Sequence, residues 1–256
     1  MTGKKPLVLI ITGSPRRYGS STQLAHVAMK GVEDAGGRAE VLYLYDYDIK
    51  PCIGCASDNV KYCKFPCVVD DDFNEIGEKI VESDGIILVT PVYWYAPSGV
   101  LKNLVDRLTS MENMVSHGGR SLLEGKVAGF IATGLDSGTS MAIAYLMFAL
   151  NSMGVVIAPW SMAYSHMEDV AKDEKALRDA YNVGYLVVET IKAVKNYGKH
   201  IGYNKDVDVK ELAEIAKRVA REGDKVGRLE GLARIAILKP NPSPCSCRIH
   251  DDGCAT

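Results

Sequence analysis

Apolar runs and amphipathic stretches alternate along roughly the first 160 residues, the pattern of a parallel sheet covered by helices. Leu7 to Thr12 (LVLIIT) is continuously apolar, as a strand buried on both faces should be. A helix follows from near Ser21, with Leu24, Val27, Ala28, Gly31 and Val32 on one face, and Gly36-Gly37 stops it. The spacing predicts a second strand over Ala39 to Tyr45, then a cysteine-bearing loop, then a helix with Phe73, Ile76, Ile80 and Val81 inward. Gly85 to Thr90 reads as the third strand, and Leu101, Leu104, Val105 and Leu108 mark the next helix. A fourth strand at Val127 to Thr133, an apolar helix at about Ser140 to Met153 and a fifth strand at Val155 to Ala158 complete five βα units.

Beyond them lie two helical stripes. One is Leu177, Ala180, Tyr181, Gly184, Val187, Ile191 and Val194; the other is Leu212, Ile215, Ala216 and Val219. The last segment, KPNPSPCSCRIHDDGCAT, has no periodicity. The expected organisation is an α/β domain over residues 1–165 with a cysteine loop at 50–68. A helical extension at 166–238 would pack on it or at a subunit interface, and 239–256 would be a Cys/Pro-rich tail.

Composition narrows the function classes. With 30 Lys+Arg against 32 Asp+Glu, the net charge of −2 gives no reason to expect nucleic acid or an anionic membrane as partner. No apolar run approaches the ~20 residues of a membrane span, and the N-terminal stretch reads as a first strand rather than a signal peptide, so a cytoplasmic location is expected. The seven cysteines are clustered: Cys52, Cys55, Cys63 and Cys67 fall within sixteen residues, and Cys245, Cys247 and Cys254 within the last twelve. Such clustering reads as metal or redox chemistry rather than a disulfide scaffold.

Three loops carry the remaining chemistry. The first βα turn, Thr12-Gly13-Ser14-Pro15-Arg16-Arg17-Tyr18-Gly19-Ser20-Ser21-Thr22, offers hydroxyls, two guanidiniums and a helix N-terminus without a carboxylate, which suits a phosphate. It is neither a P-loop nor a G-x-G-x-x-G turn, and Ser21 could also serve as helix cap. The third strand runs into Thr90-Pro91-Val92-Tyr93-Trp94-Tyr95-Ala96-Pro97, a rigid aromatic wall. The fourth ends in Thr133-Gly134-Leu135-Asp136-Ser137-Gly138, whose glycines allow close approach to a ring. In a doubly wound sheet these loops share one edge, where ligands bind. Together they suit an anionic cofactor bearing a flat ring. Four thiolates at Cys52, Cys55, Cys63 and Cys67 suit an Fe–S cluster or zinc, with free thiols or a disulfide as the plain alternative.

GSPRRYGSST after strand one, IKPCIGC with CVVDDDF after strand two, and PVYWYAPSGVLKNLVDR after strand three resemble the flavodoxin-fold NAD(P)H-dependent FMN reductases, and within them the iron–sulfur flavoprotein branch. The resemblance covers roughly residues 6–160. It implies a flavodoxin-like five-stranded parallel sheet of order 2-1-3-4-5. It also implies FMN, with the phosphate on Ser14, Arg16, Ser20, Ser21 and Thr22 and the ring against Pro91, Val92, Tyr93, Trp94 and Tyr95 and against Thr133, Gly134, Asp136, Ser137 and Gly138. The cysteine motif departs from that branch. Asp58 stands where a third closely spaced Cys belongs, so Cys63 would take its place, giving C-x2-C-x7-C-x3-C.

The expectation is an FMN-dependent oxidoreductase that passes reducing equivalents from NAD(P)H, or from a protein donor, to a quinone, flavin or other acceptor. The flavin, and no protein acid or base, would carry the chemistry. A [4Fe–4S] cluster on Cys52, Cys55, Cys63 and Cys67 would make a single-electron relay between partner proteins the alternative; a zinc-stapled binding module is the non-redox one. The two helical stripes must be covered, so a homodimer or homotetramer is expected.

Overall fold

In the computed structural model, which describes residues 4–204 and 206–222, the chain builds β1 (Leu7–Thr12), α1 (Ser20–Asp34), β2 (Arg38–Tyr43), the single turn α2 (Cys55–Asp58), α3 (Phe73–Glu82) and β3 (Gly85–Tyr93). These are followed by β4 (Ala96–Pro97), α4 (Gly99–Arg107), the short α5 (Thr109–Glu112) and α6 (Val115–Gly118), and β5 (Val127–Thr133). Then come α7 (Thr139–Ser152), β6 (Val156–Ser165) and α8 (Glu174–Asn196). The five long strands lie in the order β2-β1-β3-β5-β6, all parallel, which is the flavodoxin-like order with the tiny β4 set aside. β4 pairs back antiparallel onto β3.

Alternate residues of the central strands serve opposite faces. Leu9, Ile11, Ile86, Leu88 and Phe130 join α3, α4 and α7 in one apolar layer. Val8, Ile10, Ile87, Val89 and Ile131 join α1 and α8 in the other. The stripe from Leu177 to Val194 is therefore part of the sheet's own cover. The compact unit ends at Tyr203, so position 165 marks no boundary in it.

Two glycines explain how closely α8 lies on α1. A Cβ on Gly31 would enter the Tyr181 carbonyl, and one on Gly184 would enter the Ala28 carbonyl. No side chain larger than hydrogen fits either position. Farther on, residues 209–222 are helical, with Leu212, Ile215 and Val219 exposed. The tail at 239–256 and Cys245, Cys247 and Cys254 lie outside the described residues.

Three strands differ from the sequence reading: β2 stops at Tyr43, where Leu44–Asp46 form a helical turn, and β3 and β6 both run longer than expected. β3 continues past Thr90 to Tyr93 and folds back at Trp94-Tyr95, both with positive φ, 51° and 66°. That is the two-residue hairpin geometry Asn-Gly adopts without strain. β6 extends to Ser165 because its register slips: Ala128 faces Ile157, but Phe130 faces Met162. Residues 158–161 bulge out there. They include Pro159, which has no amide for the ladder, and Trp160, at φ 53°.

Candidate functional site

Because the long strands are parallel, the segments leaving β1, β2, β3 and β5 emerge at one edge of the sheet. Hydrogen bonds then knit them together. The Gly13 amide donates to the Val89 carbonyl at 2.8 Å, and the Ser98 amide to Thr90 Oγ1 at 2.9 Å. Ser21 Oγ pairs with Thr133 Oγ1, tying the start of α1 to the end of β5. The Gly134 amide donates to the Ser165 carbonyl at 3.0 Å, and Thr139 Oγ1 meets His166 Nε2 at 3.0 Å.

The turn after β1 folds on itself. The Arg16 amide donates to Ser14 Oγ, and Thr22 Oγ1 and the Gly19 amide donate to the Arg16 carbonyl. The helix cap is Gly19, which contributes no side-chain bond, and the first turn of α1 has no acidic residue. Ser21 is thus inside the helix and not its cap, which leaves the positive end of the helix dipole facing the turn. Ser14, Ser21 and Thr22 are buried, whereas Arg16 is exposed and forms no ion pair among the described residues. Arg17 is committed elsewhere: it pairs with Asp46 and lies 4.6 Å over the Tyr43 ring. Ser98 buries its Oγ without a partner, against Gly13. This donor set, free of carboxylates, has the chemistry of a phosphate cradle.

The hairpin and the β5 loop share a cavity of about 210 Å³ lined by Val92, Trp94, Tyr95, Gly134, Leu135, Asp136 and Ser137. Gly138 lies directly against Tyr95. Trp94 is 94% exposed, because the hairpin turn throws it outward, while Tyr93 and Tyr95 are about half exposed. The aromatic run is therefore not one flat wall. Pro91 and Val92 are on the strand, with Tyr95 turned back toward the β5 loop.

The cysteine segment after β2 is pinned by side chains that the sequence reading did not single out. Asn103 Nδ2 donates to the Ile49 carbonyl, and Asn113 Nδ2 to the carbonyls of Val60 and Cys63. His117 Nε2 lies 3.1 Å from the Cys63 carbonyl, and Asn74 bonds both the amide and the carbonyl of Cys67. The seven-residue spacer does not bulge away. The α2 turn and a second turn at Val60–Tyr62, opened by the Asn59 side chain, fold it so that Cys63 returns to Cys55.

The Cys63 thiol is pushed up to about 12 by its burial, by the adjoining Cys55 and by the nearby Cys52 and Cys67. Among the described residues the four cysteines do not close into a metal-holding group, and Cys52 is exposed. Four soft donors in one short segment match Fe–S or zinc ligation in kind.

The segment is fastened at its base by Arg107 and Asp71, both wholly buried side chains, with Arg107 Nη1 2.6 Å from the carboxylate. Burial works to raise the Asp71 carboxyl, but the Arg107 guanidinium and the amides of Lys50 and Phe73 outweigh it and hold the group below the usual carboxylate range. The only sequence signal for this pair is an acidic run, Asp70-Asp71-Asp72, at a helix start. Such a run is ordinarily explained by the helix dipole alone.

Among known proteins, the chain is 33% identical over 199 residues to an iron–sulfur flavoprotein of Methanocaldococcus jannaschii, covering 73% of this chain and 98% of that one. It is 29% identical over 184 residues to an iron–sulfur flavoprotein of Archaeoglobus fulgidus, covering 72% and 79%. The fold is shared with the NAD(P)H:quinone oxidoreductase from Methanothermobacter marburgensis, at a TM-score of 0.56 and 19% identity over 71% of this chain and 98% of that one. The sequence pattern described as NADPH-dependent FMN reductase matches residues 6–168, and the chain belongs to that family.

Proposed function

We propose that this protein is an FMN-dependent oxidoreductase that takes reducing equivalents from NAD(P)H, or from a protein donor, and hands them to a quinone, flavin or other acceptor. The observation that carries this reading is the carboxylate-free turn after β1, with an unpaired Arg16 and an uncapped α1, in a member of the FMN reductase family. Bound FMN supplies the hydride and single-electron chemistry. The chain's part is to bind and orient. Arg16 and the first-turn amides of Ser20, Ser21 and Thr22 would hold the phosphate, with the Ser14 hydroxyl beside them. Pro91, Val92 and Tyr95 would flank the ring, with Tyr93 and the exposed Trp94 at the rim. Thr133, Gly134, Asp136, Ser137 and Gly138 would meet its polar edge.

Cys52, Cys55, Cys63 and Cys67 would carry a [4Fe–4S] cluster; the two archaeal relatives are named iron–sulfur flavoproteins. With a cluster present, single-electron relay between partner proteins becomes the second reading, and four cysteines within sixteen residues favour it. Among the described residues no helix is long and apolar enough to cross a membrane. We place the protein in the cytoplasm as a homodimer or homotetramer.

Anaerobic purification, with a visible spectrum and iron and acid-labile sulfide analysis, tests the assignment. A flavin band near 450 nm with NAD(P)H-dependent quinone reduction supports the oxidoreductase. Flavin and cluster without such turnover support the relay. Colourless protein refutes both and leaves a zinc-stapled module.

A further inference from the structure

The turn after β1 has a second side. β1 lies between β2 and β3 in the sheet, and the hairpin and the β5 loop are on its β3 side. On the β2 side, Arg17, Tyr18, Thr22, Gln23, His26 and Tyr43 line a cavity of about 340 Å³, within the roughly 300–1,000 Å³ range of small-molecule sites. None of these residues is a carboxylate. Thr22 belongs to both sides: it lines this cavity, and its Oγ1 donates to the Arg16 carbonyl at 3.1 Å. A ligand with its phosphate at Arg16 and its ring over β3 and β5 would therefore enter the cavity if it extended beyond that phosphate.

The walls show what such an extension would be. The Arg17 guanidinium lies 4.6 Å over the Tyr43 ring, and Asp46 offsets its charge, which suits a stacked base better than a second anion. Tyr18 is 89% exposed, so its ring is free to cover a base. Gln23 and His26 are neighbours on one face of α1. His26 Nε2 lies 3.2 Å from the Tyr43 hydroxyl, and Gln23 Nε2 donates to the Tyr18 carbonyl at 2.9 Å. That bond uses one amide hydrogen of Gln23 and leaves the other, with the carbonyl oxygen, for a base edge. Glutamine meets N6 and N7 of adenine in this bidentate way.

We infer that the cavity is an adenylate subsite, which receives the adenosine end of a dinucleotide whose other end occupies the flavin edge. The inference rests on the flavin reading above and extends it: flavin adenine dinucleotide (FAD) would bind through both halves, FMN through one. FAD fits the layout because its adenylate is joined to the phosphate held beside Thr22. A nicotinamide dinucleotide carries the same adenosine phosphate, and experiment separates the two sources.

The test is isothermal titration of full-length protein. In the first arm, protein freed of flavin is titrated with FMN and with FAD. Wild type is expected to bind FAD about 10-fold more tightly than FMN, the scale of one base–aromatic stack. His26→Trp fills the cavity and Gln23→Ala removes the base-edge pair. Both are expected to abolish the FAD advantage and to keep FMN affinity within about twofold of wild type. In the second arm, FMN-loaded protein is titrated with NADP⁺ and NAD⁺. If FAD has no advantage but the variants weaken binding of a nicotinamide dinucleotide about 10-fold, the subsite stands and that dinucleotide supplies the adenosine. FAD no tighter than FMN, with nicotinamide dinucleotide binding unchanged in the variants, overturns the inference and leaves FMN binding intact. Equal losses of FMN and FAD in both variants would trace the effect to the phosphate turn and overturn it as well. Protein that binds neither flavin refutes the flavin reading and this inference with it.

Discussion

Of the two adjacent guanidiniums in the turn after β1, Arg17 is tied to Asp46 and to the Tyr43 ring, whereas Arg16 forms no ion pair among the described residues. Only Arg16 is available to an anion. A charge-assisted bond to phosphate is worth ~1.5–3 kcal/mol, so Arg16→Ala should weaken FMN binding by about 10- to 100-fold. Riboflavin, which lacks the phosphate, should bind Arg16→Ala and wild type alike, and Arg17→Ala should leave FMN affinity near wild type. Equal losses for FMN and riboflavin in isothermal titration would remove the phosphate from this turn. Asp71 makes the second residue-scale prediction. Its carboxyl is held below the ordinary range, so its stabilisation is complete above that range and is lost as the pH falls through the lowered folded value. Arg107 stays charged throughout. Below about pH 4, the ordinary aspartate value, the Lys50 and Phe73 amides that Asp71 accepts should lose exchange protection, while the Gly13 amide, bonded to Val89, should not. At this scale the sequence was readable where a residue acts locally: Arg16 and the turn hydroxyls sit together in one motif. Arg107, Asn74, Asn113 and His117 were not readable. Each acts on a carbonyl, amide or carboxylate of another segment, up to 57 positions away, and no local pattern announces such a bond.

Among the elements, the strands were the most legible, because burial on both faces leaves an uninterrupted apolar run in β1, β3 and β5. The departures fall where backbone conformation overrides composition. Trp-Tyr is an improbable pair for a hairpin turn with two positive φ values, so the fold-back of β3 onto Ala96–Pro97 carried no turn signal. The bulge in β6 likewise hides a long strand behind Pro159. The helix pair α1–α8 gives the element-scale prediction. Gly184 lies against the Ala28 backbone with no room for a methyl group, so Gly184→Ala must push two packed helices apart. Overpacking of this kind costs ~1–3 kcal/mol. Gly118→Ala, at an open position in α6, should change stability by no more than about 0.5 kcal/mol. Urea unfolding of the two variants separates them, and equal midpoints would mean that α8 does not lie on α1 as described.

On the scale of the whole molecule, α8 is used within its own chain as the second cover of the sheet, whereas Leu212, Ile215 and Val219 of the other expected stripe are exposed among the described residues. A different surface takes over the argument for association. Met141, Tyr145 and Phe148 of α7 are exposed, Phe148 to 76%, and the bulged edge strand β6 presents Trp160, at 84%, and Met162. Large aromatic side chains in water at this density are unusual on a monomer, where contiguous apolar patches seldom exceed a few hundred Å². A second copy seated on α7 and β6 would need to cover ~800 Å² per subunit to be stable. It would also cover an edge of the sheet that otherwise offers unpaired backbone groups. Light scattering at micromolar concentration should therefore give at least twice the 27.8 kDa chain mass. Phe148→Glu combined with Trp160→Glu should reduce it to the chain mass while leaving the FMN absorbance in place, since neither side chain lines the turn after β1 or the cavity between the hairpin and the β5 loop. A wild-type protein that is already monomeric at that concentration would show that this face serves something other than a second copy.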